Sequence, residues 1–155
     1  MAGKRSAGIL LFRRTGDGLE VLLGHMGGPL WARRDEAAWS LPKGEYLADE
    51  QPLAAARREF VEELGIPVPD VDLVELGEVR QSSGKLVIAW AGESDLDLAG
   101  FAPGTFEMEW PLGSGQSRTF PEIDRVGWFD VASARPALIA GQREFLDLLV
   151  AQVGQ

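Results

Sequence analysis

The segment that most constrains the fold of this chain is GEYLADEQPLAAARREFVEELGI, which runs from Gly44 to Ile66. Its apolar residues recur at three- and four-residue spacing: Leu53, Ala56, Phe60 and Leu64. This spacing predicts an amphipathic helix that ends at Leu64, because Gly65 supplies a left-handed cap and Pro67 prevents continuation. At the other end, Asp49 is predicted to cap the helix, with Pro52 in the first turn, where a proline is tolerated.

The same helix carries Glu59, Glu62 and Glu63 at positions i, i+3 and i+4. At about 100° per residue they share about a third of the helix circumference, beside the apolar face. Like charges at this spacing destabilise a helix by a few tenths of a kcal/mol per pair, and the helix dipole disfavours anions in its C-terminal half. Two interpretations remain open on spacing alone: a solvated acidic face, or a set of oxygen ligands for a hard cation such as Mg²⁺ or Mn²⁺.

The remaining chain predicts an α+β domain with a mixed sheet. The expected strands lie in AGILLFRR (Ala7–Arg14), LEVLLGH (Leu19–His25), VDLVELGEVRQ, KLVIAWAG and RVGWFD (Arg125–Asp130). The first two form a hairpin around the turn Thr15–Gly18, and SSG (Ser82–Gly84) joins the next pair. The segment GQREFLDLLVAQ predicts a closing helix, and the Gly/Pro-rich stretch Met26–Gly44 predicts a loop that returns to the core at Trp39 and Leu41.

Composition narrows the class of protein. With 155 residues, the chain is expected to form one domain spanning 1–155. No apolar run approaches the ~20 residues of a membrane span, and the N-terminus is interpreted as a strand rather than a secretory signal. Absence of cysteine excludes disulfides and thiolate chemistry, and a cytoplasmic location is expected. A formal charge of −9 argues against binding long nucleic acid, but allows a small phosphorylated substrate screened by divalent cations.

The residues around the carboxylates carry a family resemblance. From Gly44 the sequence reads Gly, five residues, Glu50, seven residues, then Arg-Glu-Phe-x-Glu-Glu-x-Gly-Ile. This resembles the Nudix box at all seven fixed positions and both apolar ones, a coincidence expected roughly once in 10⁸ windows at about 7% per residue. AWSLPKGE before the box, the first strand AGILLFRR and EIDRVGWFD near the end are also similar to the family, so that the resemblance covers roughly residues 7–149.

The resemblance implies an α/β/α sandwich around a mixed sheet, and Mg²⁺- or Mn²⁺-dependent hydrolysis of a nucleotide-linked diphosphate. It implies that Glu59, Glu62 and Glu63 are metal ligands and catalytic, with Gly44 letting the backbone approach the metal and its carbonyl or that of Lys43 as a further ligand. Arg58 is implied to pair with a box glutamate and fix its rotamer. Glu50 is expected to be structural, bonding loop amides.

The general base is less restricted, since in the family it is either a box glutamate or a carboxylate on a later loop. The segment FEMEWPLGSGQSRTFPEID offers four candidates: Glu107, Glu109, Glu122 and Asp124. Glu122 is favoured because it precedes the strand DRVGWF, with a plain surface glutamate as the equal alternative.

Candidate substrate contacts are basic and aromatic. Lys43, Lys85 and Arg118 are predicted to meet phosphate oxygens, with Arg33 and Arg34 as further candidates. Trp110 and Phe120, which flank the Gly/Ser loop PLGSGQSR, are predicted to stack on a base. Trp31, Trp39 and Trp90 are expected mainly in the core, and His25 is expected to be structural.

The substrate predicted from these features is a dinucleoside polyphosphate or a nucleoside triphosphate, cleaved by a monomer or homodimer that binds no membrane. Alternatives are ADP-ribose, inositol polyphosphate or a capped RNA end. A non-catalytic nucleotide sensor is disfavoured because the box keeps every carboxylate.

Overall fold

The computed structural model describes residues 4–16 and 18–154. The strands are β1 (Arg5–Thr15), β2 (Gly18–Met26), β3 (Trp39–Ser40), β4 (Lys43–Glu45), β5 (Val74–Arg80), β6 (Leu86–Glu93), β7 (Thr105–Glu109), β8 (Ser117–Pro121) and β9 (Ile123–Asp130). The helices are α1 (Pro52–Leu64), α2 (Val131–Ala137) and α3 (Glu144–Val153). Asp17 of the predicted hairpin turn lies outside the described residues.

Strand β1 is the centre of a seven-stranded mixed sheet. It pairs in parallel with β6 over Arg5–Phe12, and β6 pairs with β5. Two strands run antiparallel to β1. Strand β2 pairs with the second half of β1, and β4 pairs with Ser6–Gly8. Strand β2 continues to β9 along most of its length. This arrangement brings β4, which precedes α1 in the chain, into the middle of the sheet.

The two faces of the sheet are covered by different helices. In β1, alternate side chains point to opposite faces, as the two-residue period of a strand requires. Ala7, Ile9 and Leu11 join the cluster formed with α1. Leu10 and Phe12 join the cluster that contains buried residues of α2 and α3. The predicted α/β/α sandwich with a mixed central sheet is therefore confirmed.

Helix α1 packs on the sheet through Ala55, Ala56, Phe60 and Leu64, which are all fully buried. It ends as predicted, with Gly65 at φ 68° and its N–H bonded to the Val61 carbonyl. The predicted cap at Asp49 is wrong: Gln51 is the N-cap residue, and it makes no side-chain cap bond. A proline in the first turn lacks a backbone N–H, so one donor that a capping side chain would satisfy is absent there.

The segment predicted as a loop before the last strand is a hairpin. Strands β7 and β8 pair only with one another, from Thr105↔Pro121 to Glu109↔Ser117. The short helix α2, with Pro136 near its end, was also not predicted, because its seven residues give no clear period.

The expected core positions Trp39, Leu41 and Trp90 are confirmed as buried. No helix in the described part of the chain is long and apolar enough to cross a bilayer.

Candidate active site

The C-terminal half of α1 faces β4 and the junction between β8 and β9. Residues Glu59 and Glu63 lie towards the sheet and are partly buried, whereas Glu62 is exposed. Because α1 and β4 are joined by only six residues, the helix returns directly over the strand from which it came. Three carboxylates are thereby held at the edge of the apolar face rather than opposite it.

Glu63 is the most perturbed of the three. Its Oε1 accepts a 2.9 Å hydrogen bond from the backbone N–H of Lys43. Burial raises the pKa of the Glu63 carboxyl to about 8, and the negative charges of Glu122 and Glu59 push in the same direction. The Lys43 amide and ammonium oppose the shift without cancelling it. Burial disfavours the charged form of this carboxyl, and a pKa raised this far is typical of functional sites.

Arg58 links the acidic residues of the box. Its guanidinium donates to both oxygens of Glu50, at 3.0 and 3.1 Å, and to Glu59 at 2.7 Å, with Glu62 at 3.4 Å. These partners raise the pKa of Arg58, and the hydrogen bond from Arg58 lowers the pKa of Glu50. As expected, Glu50 bonds the backbone of the loop, at Leu47, but its main partner is the side chain of Arg58 on α1.

Gly44 allows the close approach of β4 and α1. A Cβ built at this position would overlap the carboxylate of Glu59. Burial is the main cause that raises the pKa of Glu59. The absence of a side chain at Gly44 thus lets a carboxylate lie directly against the strand backbone, where carbonyl oxygens are also available.

Glu122 is brought to the same place by the backbone. Its N–H donates to the Gly104 carbonyl at 2.8 Å, and the Gly104 N–H donates to the Glu62 carbonyl at 2.8 Å. From the other side, the Gly27 N–H donates to the Glu122 carbonyl at 2.9 Å. The pKa of Glu122 is raised by burial and then by the charges of Glu59 and Glu62, which places this carboxyl in the field of the α1 cluster.

Two lysines stand beside the carboxylates. Burial lowers the pKa of Lys43, and the neighbouring ammonium of Lys85 lowers it further. Lys85 precedes β6, which lies next to β1, so the two cations come from strands on opposite edges of β1. Their mutual repulsion is the counterpart of the repulsion among the glutamates, and both would be relieved by a phosphate and a cation, respectively.

The other base candidates have different surroundings. Glu109 accepts hydrogen bonds from the N–H groups of Gly113 and Gly115 and so caps the tip of the β7–β8 hairpin. Asp124 Oδ1 lies 2.8 Å from Nδ1 of His25. Glu107 lies exposed on β7. Of the four candidates, only Glu122 shows electrostatic coupling to the α1 glutamates.

The predicted stacking and phosphate contacts on the hairpin are less closely associated with the carboxylates. Arg118 is exposed, and within the described residues no hydrogen bond or ion pair joins it to α1. Trp110 lies at the hairpin tip. Phe120 lies two residues before Glu122 and pairs across the hairpin with Phe106, with ring centroids 6.0 Å apart. Phe106 was missed by the sequence analysis, since its neighbourhood became visible only once β7 was paired with β8.

The donor set matches a hard divalent cation in chemistry. All the candidate groups are oxygens: the carboxylates of Glu59, Glu62 and Glu63 and the carbonyls around Gly44. As the side chains stand, no three acidic or histidine residues within residues 4–16 and 18–154 are grouped as metal ligands. Arg58 engages oxygens of Glu59 and Glu62 instead. The space that Gly44 leaves for Glu59, together with the strongly raised pKa of Glu63, is the observation that fits a cation at this edge.

The sheet between helices and the glutamate-bearing α1 define the class of protein as a Nudix-fold α/β/α sandwich. The family model of the NUDIX domain matches residues 3–149, and the chain belongs to that family.

Relatives in sequence are similar over a limited stretch. An RNA pyrophosphohydrolase of Cellvibrio japonicus is 41% identical over 56 residues, which are 35% of this chain and 33% of the relative. One of Halorhodospira halophila is 46% identical over 56 residues, covering 36% and 30%. The matched segment thus spans about a third of the length of each relative.

Solved structures are similar over nearly the whole chain. A binary complex of the Ap4A hydrolase of C. elegans has a TM-score of 0.66 at 20% identity and covers 97% of both chains. The NUDIX domain of NrtR from Shewanella oneidensis, complexed with ADP ribose, has a TM-score of 0.64 at 15% identity, covering 99% of this chain and 90% of that one. At these identities the likeness establishes the fold.

Proposed function

We propose that this protein is a metal-dependent hydrolase that cleaves a phosphoanhydride bond in a nucleotide-derived substrate. The substrate class that we favour is a dinucleoside polyphosphate or a nucleoside triphosphate, with Mg²⁺ or Mn²⁺ as the cation. The observation that carries the proposal is Glu63: it is a carboxyl on a rigid helix with a pKa raised to about 8, which lies beside Glu59, Glu122 and Lys43.

The cation, when bound, supplies charge neutralisation for the phosphate oxygens and lowers the pKa of a bound water. Glu59, Glu62 and Glu63 would hold it, together with a backbone carbonyl at Gly44. Arg58 restrains Glu59 and Glu62 through hydrogen bonds at 2.7 and 3.4 Å, so that fewer rotamers need to be ordered on binding.

Glu122 is proposed as the general base. Its raised pKa moves it towards the operating pH, where a carboxylate is a more effective proton acceptor than one with an ordinary pKa. It would hold the proton taken from the attacking water. Its backbone is fixed on both sides, through Gly104 and Gly27, so the side chain starts from a defined position.

Lys43 and Lys85 are proposed to bind phosphate oxygens of the substrate. They are adjacent cations, and the pKa of Lys43 is lowered by burial and by Lys85. An anionic ligand between them would favour the charged form of both. Phe106, Phe120 and Trp110 provide aromatic surface on the hairpin for a base, and stacking contributes about 1–3 kcal/mol per base.

A second candidate substrate is the 5′ end of an RNA. It is favoured by the sequence relatives, which are RNA pyrophosphohydrolases. The net charge of −9 opposes binding of a long polyanion, so we expect contacts limited to the terminal nucleotides.

The test is turnover of a substrate panel with Mg²⁺ or Mn²⁺. The panel contains dinucleoside polyphosphates, nucleoside triphosphates, nucleotide sugars, ADP-ribose and a short 5′-triphosphorylated RNA. We expect turnover of a dinucleoside polyphosphate or triphosphate that depends on the metal and is lost in Glu63→Gln. Hydrolysis in ¹⁸O-labelled water, read by mass spectrometry, then identifies the phosphorus attacked. Turnover of none of these compounds, or undiminished turnover by Glu63→Gln, would overturn the proposal.

A further inference from the structure

The chemistry proposed above makes no use of His25, the single histidine of the chain. Its side chain is fully buried in β2, and both ring nitrogens have partners. Nδ1 lies 2.8 Å from Oδ1 of Asp124, and Nε2 lies 2.6 Å from the backbone carbonyl of Arg34. The ring therefore joins three separate segments: β2, the beginning of β9, and the loop between β2 and β3.

The two partners of His25 are both acceptors. A backbone carbonyl has no hydrogen to donate, and an ionised carboxylate has none either. A neutral imidazole carries only one N–H, so it would leave one short contact between two acceptors. Both contacts become hydrogen bonds when both ring nitrogens carry hydrogen, with Asp124 as the counter-charge.

The contacts of the ring continue into the neighbouring segments. Asp124 faces it from β9, and Arg125 approaches Asp124 at 3.6 Å. Arg125 in turn pairs at 3.2 Å with Asp35 of the loop. From β3, the ring of Trp39 packs edge-on against His25, with centroids 5.2 Å apart. A chain of contacts thus connects His25 through Asp124 and Arg125 to the loop between β2 and β3.

The same contact lies at an irregularity in the sheet. His25 pairs with Arg125, but the next residue, Met26, pairs with Ile123, so Asp124 is the extra residue of a β-bulge. A bulge bends its strand and redirects the adjoining side chains. Immediately beyond it, the Gly27 N–H holds the carbonyl of Glu122 at 2.9 Å. His25 and Asp124 therefore close a bulge that lies two residues after Glu122, whose carboxyl is directed towards α1.

We propose that His25 is a positioning residue: through its contact with Asp124 it locks the Asp124 bulge and so sets the direction of Glu122. Through the Arg34 carbonyl it also fixes the loop before β3 against β9. This role rests on the proposed function in so far as Glu122 is the general base, but the contacts of the ring are independent of any substrate.

Nuclear magnetic resonance tests the ring directly. With ¹⁵N-labelled histidine, the single histidine gives one set of ring signals, which needs no assignment. In Asp124→Asn, where the partner of Nδ1 loses its charge but keeps its shape, we expect the Nδ1 signal to shift and the Nε2 signal to stay in place. An Nδ1 signal that does not change would overturn the proposal, because the ring would then not be held by Asp124.

A double-mutant cycle tests the positioning role. His25→Gln is expected to lower kcat by about ten- to a hundredfold, because a displaced catalytic group loses that much rate. In the background of Glu122→Gln the same change should lower kcat by less than about twofold, since interacting residues are not additive. An equal loss in both backgrounds would show that His25 acts only on the general fold. Glu144→Gln, in the first turn of α3, is the control.

A third measurement separates this proposal from the proposed function. If the wild-type protein hydrolyses no compound of the panel, the proposed function fails. Amide hydrogen exchange then still tests whether His25 holds the bulge at Asp124. The Gly27 amide, bonded to Glu122, should exchange at least about tenfold faster in His25→Gln than in the wild type, because the local opening becomes easier. An unchanged exchange rate at Gly27 would overturn the proposal that His25 holds the bulge.

Discussion

Helices α1 and α3 pack on opposite faces of one sheet, and their acidic residues lie at opposite ends of the helix. In α3, Glu144 and Asp147 lie in the first turn, where the helix dipole favours anions. Asp147 is 63% exposed and pairs with Arg135 at 2.7 Å. In α1 the first turn holds no acid, and Glu59, Glu62 and Glu63 lie in the second half.

The two helices are alike in how they pack but differ in the charged groups that they bury. Both helices bury an apolar face of similar kind, with Phe60 in α1 and Phe145 in α3 fully covered. Only α1 adds carboxylates whose pKa values are raised by burial, Glu59 and Glu63. A helix optimised for stability would place its charges as α3 does. The arrangement in α1 is the one expected if stability is given up for the proposed cation site.

The largest effect is expected for Glu63→Gln. Glutamine keeps an oxygen that can accept the Lys43 N–H but removes the charge, so kcat should fall on the order of 10³-fold while the fold persists. Steady-state kinetics with a substrate identified from the panel measures the loss, and Glu144→Gln on α3 is the matched control. A loss of similar size in both variants would remove the distinction between the two helices.

The second effect is a pH dependence of stability measured without divalent cations. The folded pKa of Glu63, about 8, lies above the unfolded value of about 4.3, so the folded state binds the extra proton between these limits. The free energy of unfolding should therefore decrease as pH rises from about 4.5 to 8, by at most about 4 kcal/mol from this group.

Urea unfolding at a series of pH values checks this dependence. Glu63→Gln should flatten the decrease and be more stable than the wild type at pH 8, whereas Asp147→Asn should follow the wild-type curve. Stability of the wild type that rises between pH 5 and 8 would contradict the origin assigned to the shift.

A third, smaller effect is expected at Glu122. Its raised pKa predicts that kcat rises with pH through a value above the ordinary glutamate range, because the base must be ionised. Glu122→Gln should lower kcat by about a hundredfold and remove this acid limb. A pH–rate profile of the variant that keeps the limb would assign the base to another group, with Glu63 as the nearest candidate.

The smallest effect is expected on α3. Arg135 and Asp147 are both exposed, and such pairs contribute about 0–1 kcal/mol. Asp147→Asn should change the unfolding free energy by less than about 0.5 kcal/mol and leave kcat unchanged. Thermal unfolding followed by circular dichroism suffices. A large loss here would mean that charge placement on α3 matters as much as on α1.

The sequence predicted local structure well where periodicity and end signals agree. The strands around Ile9 and Val21 follow from two short apolar runs on either side of a turn, and the end of α1 follows from Gly65, a glycine that accepts φ 68°. The cap at Asp49 was wrong because residues 48–51 take an irregular path, and Gln51 precedes the helix without a side-chain bond. The hairpin of β7 and β8 was missed because its pairing partner is not evident from either strand alone.

For the site, the sequence indicated which residues carry charge but not how they meet. The pairing of Arg58 with Glu50 joins residues eight positions apart, across the start of α1. The bulge at Asp124 depends on register between β2 and β9, which periodicity does not encode. Glu122 was favoured among four candidates from its place before a strand, but its backbone bonds to Gly27 and Gly104 could not be read from the sequence.

The most direct test of the central claim, that α1 gives up stability to bind a cation, is calorimetric titration of Mn²⁺ into the protein at pH 8. The wild type and the α3 variant Asp147→Asn should bind the ion alike, and Glu63→Gln should bind it at least about tenfold more weakly. Equal affinity in the wild type and Glu63→Gln, or no binding by the wild type, would contradict the account.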